Sequence, residues 1–189
     1  MCRMTEVSSL TGRLLVATPA LADPNFDRAV VLLLDHDDEG SLGVVLNRPT
    51  PVTVGDILAP WADLAGEPGV VFQGGPVSLD AALGIAVIPG DEGPLGWRRV
   101  YGAIGLVDLE TPPELLGPAI GALRIFAGYA GWGPGQLESE LGDGAWYVVE
   151  SEPGDVSSPR PETLWRQVLR RQRGELAMVA TYPDDPSLN

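Results

Sequence analysis

Lysine is absent from this chain of 189 residues, and cysteine and histidine occur once each. Without lysine the chain has no phosphate-loop lysine, no Schiff base and no lysine general base. Cys2 alone can form neither an internal disulfide nor a CxxC metal site. His36 alone cannot supply the two or three imidazoles of most zinc sites. We therefore expect neither a cofactor nor a metal ion.

Positive charge is also scarce, since 12 arginines stand against 26 aspartates and glutamates and the formal net charge is −14. A surface that binds nucleic acid needs several cationic contacts to phosphates, so this charge disfavours a nucleic-acid partner. No apolar run approaches the roughly 20 residues of a membrane span. Residues 1–9 lack the apolar core of an export signal. The composition predicts a soluble, cytoplasmic protein without a membrane partner.

Residues 1–189 are expected to form one domain, because domains run to roughly 100–200 residues. Residues 1–9 are expected to be a flexible N-terminus. The 24 glycines and 18 prolines separate short apolar runs, as turns separate strands. Many of the connections are too short for a parallel crossover. These features predict an α+β domain with a mixed sheet.

The predicted strands are short runs rich in valine, leucine and isoleucine. They are Leu14–Thr18, Ala29–Asp35, Leu42–Leu46, Val70–Gln73, Leu83–Ile88, Val100–Val107, Arg124–Tyr129 and Ala145–Glu150. The predicted helices are Thr53–Leu58, one that begins at a capping box of Thr111 and Glu114, Pro134–Leu141 and the amphipathic Pro161–Arg173. Leu176–Thr181 fits a strand or a helix, and Ser151–Pro161 is predicted to be a surface loop.

The most unusual segment is rich in glycine and precedes the predicted helix at Pro134. Backbone amides at a helix N-terminus can hold an anion, which makes Gly131, Trp132, Gly133 and Gln136 candidate binding residues. The dinucleotide fingerprint GxGxxG is not met, because Gln136 occupies the position of its third glycine. The structural alternative is a tight corner that packs Trp132 against the core.

A second glycine pair, Gly74 and Gly75, follows a predicted strand and can form either an anion-binding nest or a tight turn. Arg48 ends another strand and can clamp a carboxylate or phosphate, although a structural ion pair is the alternative. If Gly74 and Gly75 fold next to Gly131–Gln136, the two corners would line one pocket. That shared pocket is our binding hypothesis.

His36 lies among four carboxylates, those of Asp35, Asp37, Asp38 and Glu39. The alternating oxygen ligands of a calcium loop are missing, so we expect a solvated hairpin turn. Ser41 lies close to His36 in the sequence, which suggests a hydrolase. However, the surrounding residues do not form the GxSxG elbow of that class.

Two further charged groups have functional and structural interpretations. Asp23 and Asp27 would act as an acid/base pair only if they converged on a cleft, and otherwise they cap a turn. The arginines between Arg166 and Arg173 could meet an acidic partner or RNA, or could satisfy a helix end and pair with nearby acids. The tryptophans Trp132, Trp146 and Trp165 are predicted to be core or interface residues.

Taken in order along the chain, several motifs strongly resemble the YqgE/AlgH family. They are Leu14-Leu15-Val16-Ala17-Thr18-Pro19, Asp23-Pro24-Asn25-Phe26, the turn from His36 to Gly40, Gly43 to Pro49, Gln73-Gly74-Gly75-Pro76-Val77, the GWGPGQLE stretch and the PSLN ending. The resemblance implies a bacterial cytosolic protein with a mixed, bifurcated β-sheet that includes a small barrel-like portion, flanked by helices. It brings no established catalytic residues and does not imply DNA binding.

Three functions remain open from the sequence. The first is a non-catalytic binding or regulatory module whose partner is a small anionic ligand or a protein, because no nucleophile, base and oxyanion set is recognisable. The second is a hydrolase or transferase that uses carboxylates near Arg48 or Gln136, with Asp23 and Glu138 as the acids to test. The third is a DNA-binding regulator, which the net charge of −14 disfavours.

Overall fold

The computed structural model describes residues 9–21, 23–90 and 92–182. The expected N-terminal segment, apart from Ser9, and the PSLN ending lie outside these residues. The described chain is an α+β protein in which a curled, half-barrel sheet is flanked by helices, as predicted. No described helix is long and apolar enough to cross a membrane.

The described strands form a single sheet, and all eight predicted strand regions contain a strand. The strands are β1 Leu14–Ala17, β2 Val30–Asp37, β3 Gly40–Val45, β4 Pro49–Thr53, β5 Val70–Gln73, β6 Val77–Val87, β7 Trp97–Tyr101, β8 Ile104–Val107, β9 Ala122–Trp132 and β10 Trp146–Val149. The helices are α1 Val54–Ile57, α2 Pro113–Leu116, α3 Gln136–Gly142, α4 Pro153–Val156, α5 Leu164–Arg170 and α6 Glu175–Val179.

The sheet divides in two along strand β9. The main path runs β10-β1-β2-β3-β9-β6-β8-β7, and β5 pairs in parallel with β9 and antiparallel with β4. One edge of β9 therefore serves β5 at Phe126 and Ala127 and then β3 from Ala130 onward. This is the bifurcated, mixed sheet that the family resemblance implies.

Gly74 lies where the two branches separate. Its N–H donates to the carbonyl of Ala127 on β9, and its carbonyl accepts from Val45 on β3, each at 2.8 Å. A Cβ atom on Gly74 would lie 2.4 Å from the carbonyl oxygen of Gly128. The branch point therefore requires a residue without a side chain.

Strand β2 is apolar on both faces because both faces of the sheet are covered. Alternate side chains of a strand point to opposite sides. Val30 and Leu32 belong to a buried cluster that includes α5, whereas Val31 and Leu33 belong to a second cluster that includes Leu137 of α3. A continuous valine and leucine run is the sequence consequence of burial on two faces.

Several strand predictions are wrong in their boundaries, including Leu83–Ile88, because β6 begins at Val77. The segment Val100–Val107 is a hairpin of β7 and β8, turned by Gly102 with φ of +57°. The segment Gly128–Trp132 is the second half of β9 and not a corner, because its backbone pairs with β3 and β6. Glycine here permits close approach of neighbouring strands.

The helix predictions also need correction at their ends. The expected capping box at Thr111 does not form, since α2 begins at Pro113 and has no side-chain cap. A capping box forms instead between Glu152 and Asp155, so the predicted surface loop Ser151–Pro161 contains a helix, α4. The ambiguous segment Leu176–Thr181 is largely helical.

Arg124 is a buried cation in the middle of the fold. Its Nη2 donates to the carbonyls of Glu67 at 3.0 Å and Ser158 at 2.8 Å, and its guanidinium lies 4.2 Å above the ring of Phe72. Burial lowers the pKa of Arg124 to about 10. One charged side chain therefore ties two connecting segments to the core.

We expect Gly74→Ala to lower the free energy of unfolding by about 2 kcal/mol, the scale of an overpacked core. The new methyl group would press on the Gly128 carbonyl and on Val44. Urea unfolding followed by circular dichroism measures the loss. Gly69→Ala is the matched control, because a Cβ there meets nothing within 4 Å. Equal stability of the two variants would contradict the proposed close approach.

Candidate functional site

A cleft of about 440 Å³ lies between the turn after β1, the residues that follow β3, and helix α5. We call it the arginine cleft. It is lined by Pro24, Asp27, Arg28, Asn47, Arg48, Glu162, Trp165 and Arg166. Three of the chain's 12 arginines therefore line one concavity in a strongly acidic protein. Only Arg48 of these three was singled out in the sequence as a ligand clamp.

Arg48 is the half-buried cation of this cleft. Its backbone carbonyl accepts the N–H of Gln73 at 2.8 Å, and its Nη2 donates to the backbone carbonyl of Asp27. Burial lowers the pKa of Arg48, and the charge of nearby Asp27 partly offsets that effect. No ion pair joins Arg48 to a carboxylate among the described residues, so its expected alternative as a structural ion pair is not the arrangement seen.

Arg28 adopts a left-handed backbone conformation with φ of +54°, which is unusual for a residue with a long side chain. The buried Asn47 holds it there. Asn47 Oδ1 accepts the N–H of Val30 at 3.0 Å, and its Nδ2 donates to the carbonyl of Arg28 at 2.9 Å. Asn47 therefore fixes the backbone that carries Arg28 into the cleft.

Trp165 forms the floor of the cleft. Its indole N–H donates to the carbonyl of Ala17 at 2.9 Å, which fixes the ring. The guanidinium of Arg28 lies 4.5 Å from the ring centroid and that of Arg166 lies 5.7 Å from it. The π face of an indole attracts cations, so Trp165 orders both arginines. The sequence predicted Trp165 only as a core or interface aromatic.

A smaller basin of about 160 Å³ adjoins the arginine cleft and shares Pro24 and Arg48 with it. Gln73, Gly75 and Pro76 form its other side. Arg48 and Gly75 therefore line the same basin. Gly74 cannot contribute to an anion nest, because its N–H already donates to the sheet.

The segment Gly131–Gln136 lines neither of these two cavities, so it does not share a pocket with Arg48 and Gly75 there. Gln136 Oε1 accepts the N–H of Gly133 at 3.0 Å, and its Nε2 donates to Glu140 at 3.0 Å. The polar groups at the start of α3 thus bind each other. Glu140 also accepts the indole N–H of Trp132 at 3.2 Å and of Trp146 at 3.0 Å.

The hairpin of β2 and β3 differs from its prediction at one residue. The four carboxylates beside His36 are exposed, as expected for a solvated turn, but His36 itself is buried. Its Nδ1 lies 2.6 Å from Ser41 Oγ, and its Nε2 lies 3.3 Å from Glu138 Oε1 on α3. No group of three or more metal-ligating side chains is found among the described residues.

The remaining charged candidates are placed as follows. Asp23 accepts the backbone N–H of Asn25 at 2.8 Å and so caps a turn. Arg171 donates to both carboxylate oxygens of Asp155, each at 2.6 Å. This hydrogen bonding raises the pKa of Arg171 above its usual value. Arg171 therefore pairs with a nearby acid.

Comparison with known proteins identifies close relatives. The profile of a family described as AlgH-like matches residues 14–177. UPF0301 protein SCO2948 of Streptomyces coelicolor is 86% identical to this chain and covers 100% of both sequences. A UPF0301 protein of Thermobifida fusca is 52% identical over 96% of each chain.

Two solved structures share the fold. The crystal structure of protein DIP2367 from Corynebacterium diphtheriae superposes with a TM-score of 0.87 at 30% identity, covering 91% of this chain and 92% of that one. The solution structure of the AlgH protein from Pseudomonas aeruginosa gives a TM-score of 0.68 at 25% identity, covering 97% and 100%. None of these names states a ligand or a reaction.

Asn47→Ala is expected to lower the free energy of unfolding by about 3 kcal/mol, because it leaves the buried Val30 N–H and the Arg28 carbonyl without their partner. Chemical unfolding measures this loss. Asn25→Ala is the control in the same region, since the Asn25 side chain is exposed, and it should change stability by less than about 0.5 kcal/mol. A similar result for both variants would show that Asn47 does not hold the cleft.

Proposed function

The chain belongs to the AlgH-like family, and we propose that it acts as a cytoplasmic binding module that holds a small anionic ligand in the arginine cleft without transforming it. The observation that carries this proposal is the half-buried guanidinium of Arg48. Its described hydrogen bond goes to a backbone carbonyl and leaves most of its five N–H donors for a ligand.

Arginine suits this task because its planar donor pattern matches the two oxygens of a carboxylate or phosphate. Burial lowers the pKa of Arg48. The guanidinium nevertheless keeps its charge, because arginine ordinarily stays protonated far above neutral pH. A partly desolvated cation binds an anion more strongly than an exposed one does, because less water screens the pair. Arg48 is therefore the residue on which affinity should depend.

The dimensions of the cleft favour a small ligand. Its volume of about 440 Å³ lies within the usual range for small-molecule sites, roughly 300–1,000 Å³. The adjoining basin beyond Arg48 adds about 160 Å³ and offers the side chain of Gln73 as a hydrogen-bonding group. A ligand with an anionic group at Arg48 could extend into either cavity.

The acidic surface limits how strongly the ligand can be charged. Asp27 and Glu162 line the cleft beside the arginines. These carboxylates would repel a polyanion held close to Arg48. A ligand with one or two negative charges therefore fits this lining better than a nucleic acid backbone does.

We expect inorganic phosphate or a small carboxylate such as acetate or succinate to bind with an affinity that Arg48→Gln lowers at least about tenfold, the scale of a lost charge-assisted hydrogen bond. Isothermal titration calorimetry at low ionic strength measures this effect. Arg98→Gln is the matched control, because it removes the same charge from an exposed position on β7.

Absence of binding to every anion in this series would overturn the proposed small ligand. Equal weakening by Arg48→Gln and Arg98→Gln would assign any binding to overall charge and not to the cleft. Saturable binding of a protein partner that Arg48→Gln abolishes, without binding of small anions, would replace the ligand with an acidic protein segment.

A further inference from the structure

The hairpin of β2 and β3 carries a second constellation, about one strand length away from the arginine cleft and independent of it. Ser41 Oγ and His36 Nδ1 form a hydrogen bond of 2.6 Å, and Glu138 Oε1 lies 3.3 Å from His36 Nε2 on the other side of the ring. Ser41 and His36 are direct cross-strand partners, and Glu138 of α3 contacts His36. The chain's one imidazole is therefore placed between a hydroxyl and a carboxylate.

Acyl transfer requires one tautomer of the neutral imidazole, the one in which Nε2, the nitrogen that faces the Glu138 carboxylate, carries the proton. Nδ1 then has a free electron pair directed at the hydroxyl of Ser41. A nucleophile within hydrogen-bonding distance of a base, and a third group that orients the base, are the signature of an activated hydroxyl.

The three side chains differ in their exposure, and that of Glu138 is 44% exposed. The His36 side chain is 1% exposed, so water does not compete for its ring nitrogens. Ser41 is partly exposed and lines an open basin of about 250 Å³ together with Trp132. The hydroxyl is therefore accessible from solvent while the base behind it is shielded.

We propose that Ser41 is a nucleophile for acyl transfer, with His36 as its general base and Glu138 as a positioning residue. Ser41 Oγ attacks the carbonyl carbon of an ester while the hydroxyl proton moves to Nδ1. Collapse of the tetrahedral intermediate breaks the bond to the alcohol oxygen, which takes that proton and leaves. Water then attacks the acyl group by the same route, which releases the carboxylic acid and restores the hydroxyl.

The charge around the basin defines the substrate class. Asp35, Asp37 and Glu39 line it with Ser41, and no described basic side chain does. A concave surface whose charges have one sign attracts ligands of the opposite charge. The substrate we infer is therefore an ester that carries a positive charge near its carbonyl group.

An alkyl fluorophosphonate tests the nucleophile directly, because Ser41 Oγ would displace fluoride and gain a stable phosphonyl group. We expect mass spectrometry of tryptic peptides to find the label on Ser41 and its rate to fall at least about a hundredfold in His36→Gln, the scale of a lost general base. Ser41→Ala should abolish the label. Ser139→Ala, at an exposed serine of α3, should leave it unchanged.

Two further variants separate catalysis from a structural role. Glu138→Gln keeps the size of the side chain but removes the carboxylate that contacts His36, so the maximal labelling rate should fall while the half-saturating fluorophosphonate concentration stays unchanged. In Ser41→Cys, iodoacetamide should alkylate the new thiol faster than the thiol of Ser139→Cys at pH 7. An unlabelled Ser41 in the wild-type protein, or equal alkylation of the two thiols, would overturn the proposal and leave the series as a clamp between the hairpin and α3.

The substrate class has its own test. We expect the wild-type protein to hydrolyse an ester bearing a quaternary ammonium group with a kcat/KM about tenfold higher than that of its uncharged isostere at low ionic strength, a modest electrostatic enhancement. Added salt should reduce this preference, because it screens exposed carboxylates. Equal rates for the two esters would refute the cationic substrate while leaving the nucleophile to the labelling result.

Discussion

Two backbone hydrogen bonds at Gly74 hold the two branches of this sheet together, and the position of Arg48 in the arginine cleft depends on them. One ties the end of β5 to β9, and the other ties the same glycine to β3. Because β5 ends beside the residues that follow β3, the N–H of Gln73 meets the carbonyl of Arg48. The branch point thereby places the half-buried guanidinium at the border of two cavities.

Three of the arginines have distinct physical roles. Arg124 is buried and ties connecting segments to the core through backbone carbonyls. Arg171 forms a bidentate pair with Asp155 at the end of α5. Arg48 is half-buried and forms no described ion pair, which distinguishes it from Arg171. Charge alone therefore does not distinguish these arginines, whereas burial combined with the kind of partner does.

The sequence allowed the sheet to be predicted better than the sites, for a physical reason. Strand β2 could be recognised because its apolar run reflects burial on two local faces. The approach of Arg28 to Trp165 could not, because it depends on contacts between residues far apart in the chain. Dense glycine around Gly131 suggested an anion-binding loop, but the same residue type also allows strands to approach closely. The burial of His36 depends on α3, which local acidity does not reveal.

A branch point made only of main-chain groups has a consequence for the divergence of this architecture. Its geometry requires a missing side chain at Gly74, Gly75 and Gly128, where a Cβ atom would lie 2.4 Å, 2.2 Å and 2.7 Å, respectively, from main-chain atoms of neighbouring segments. Substitutions that remodel the concave surfaces can then accumulate without shifting the scaffold that supports them. Amino-acid substitutions can therefore change what these surfaces contact while the backbone scaffold stays the same.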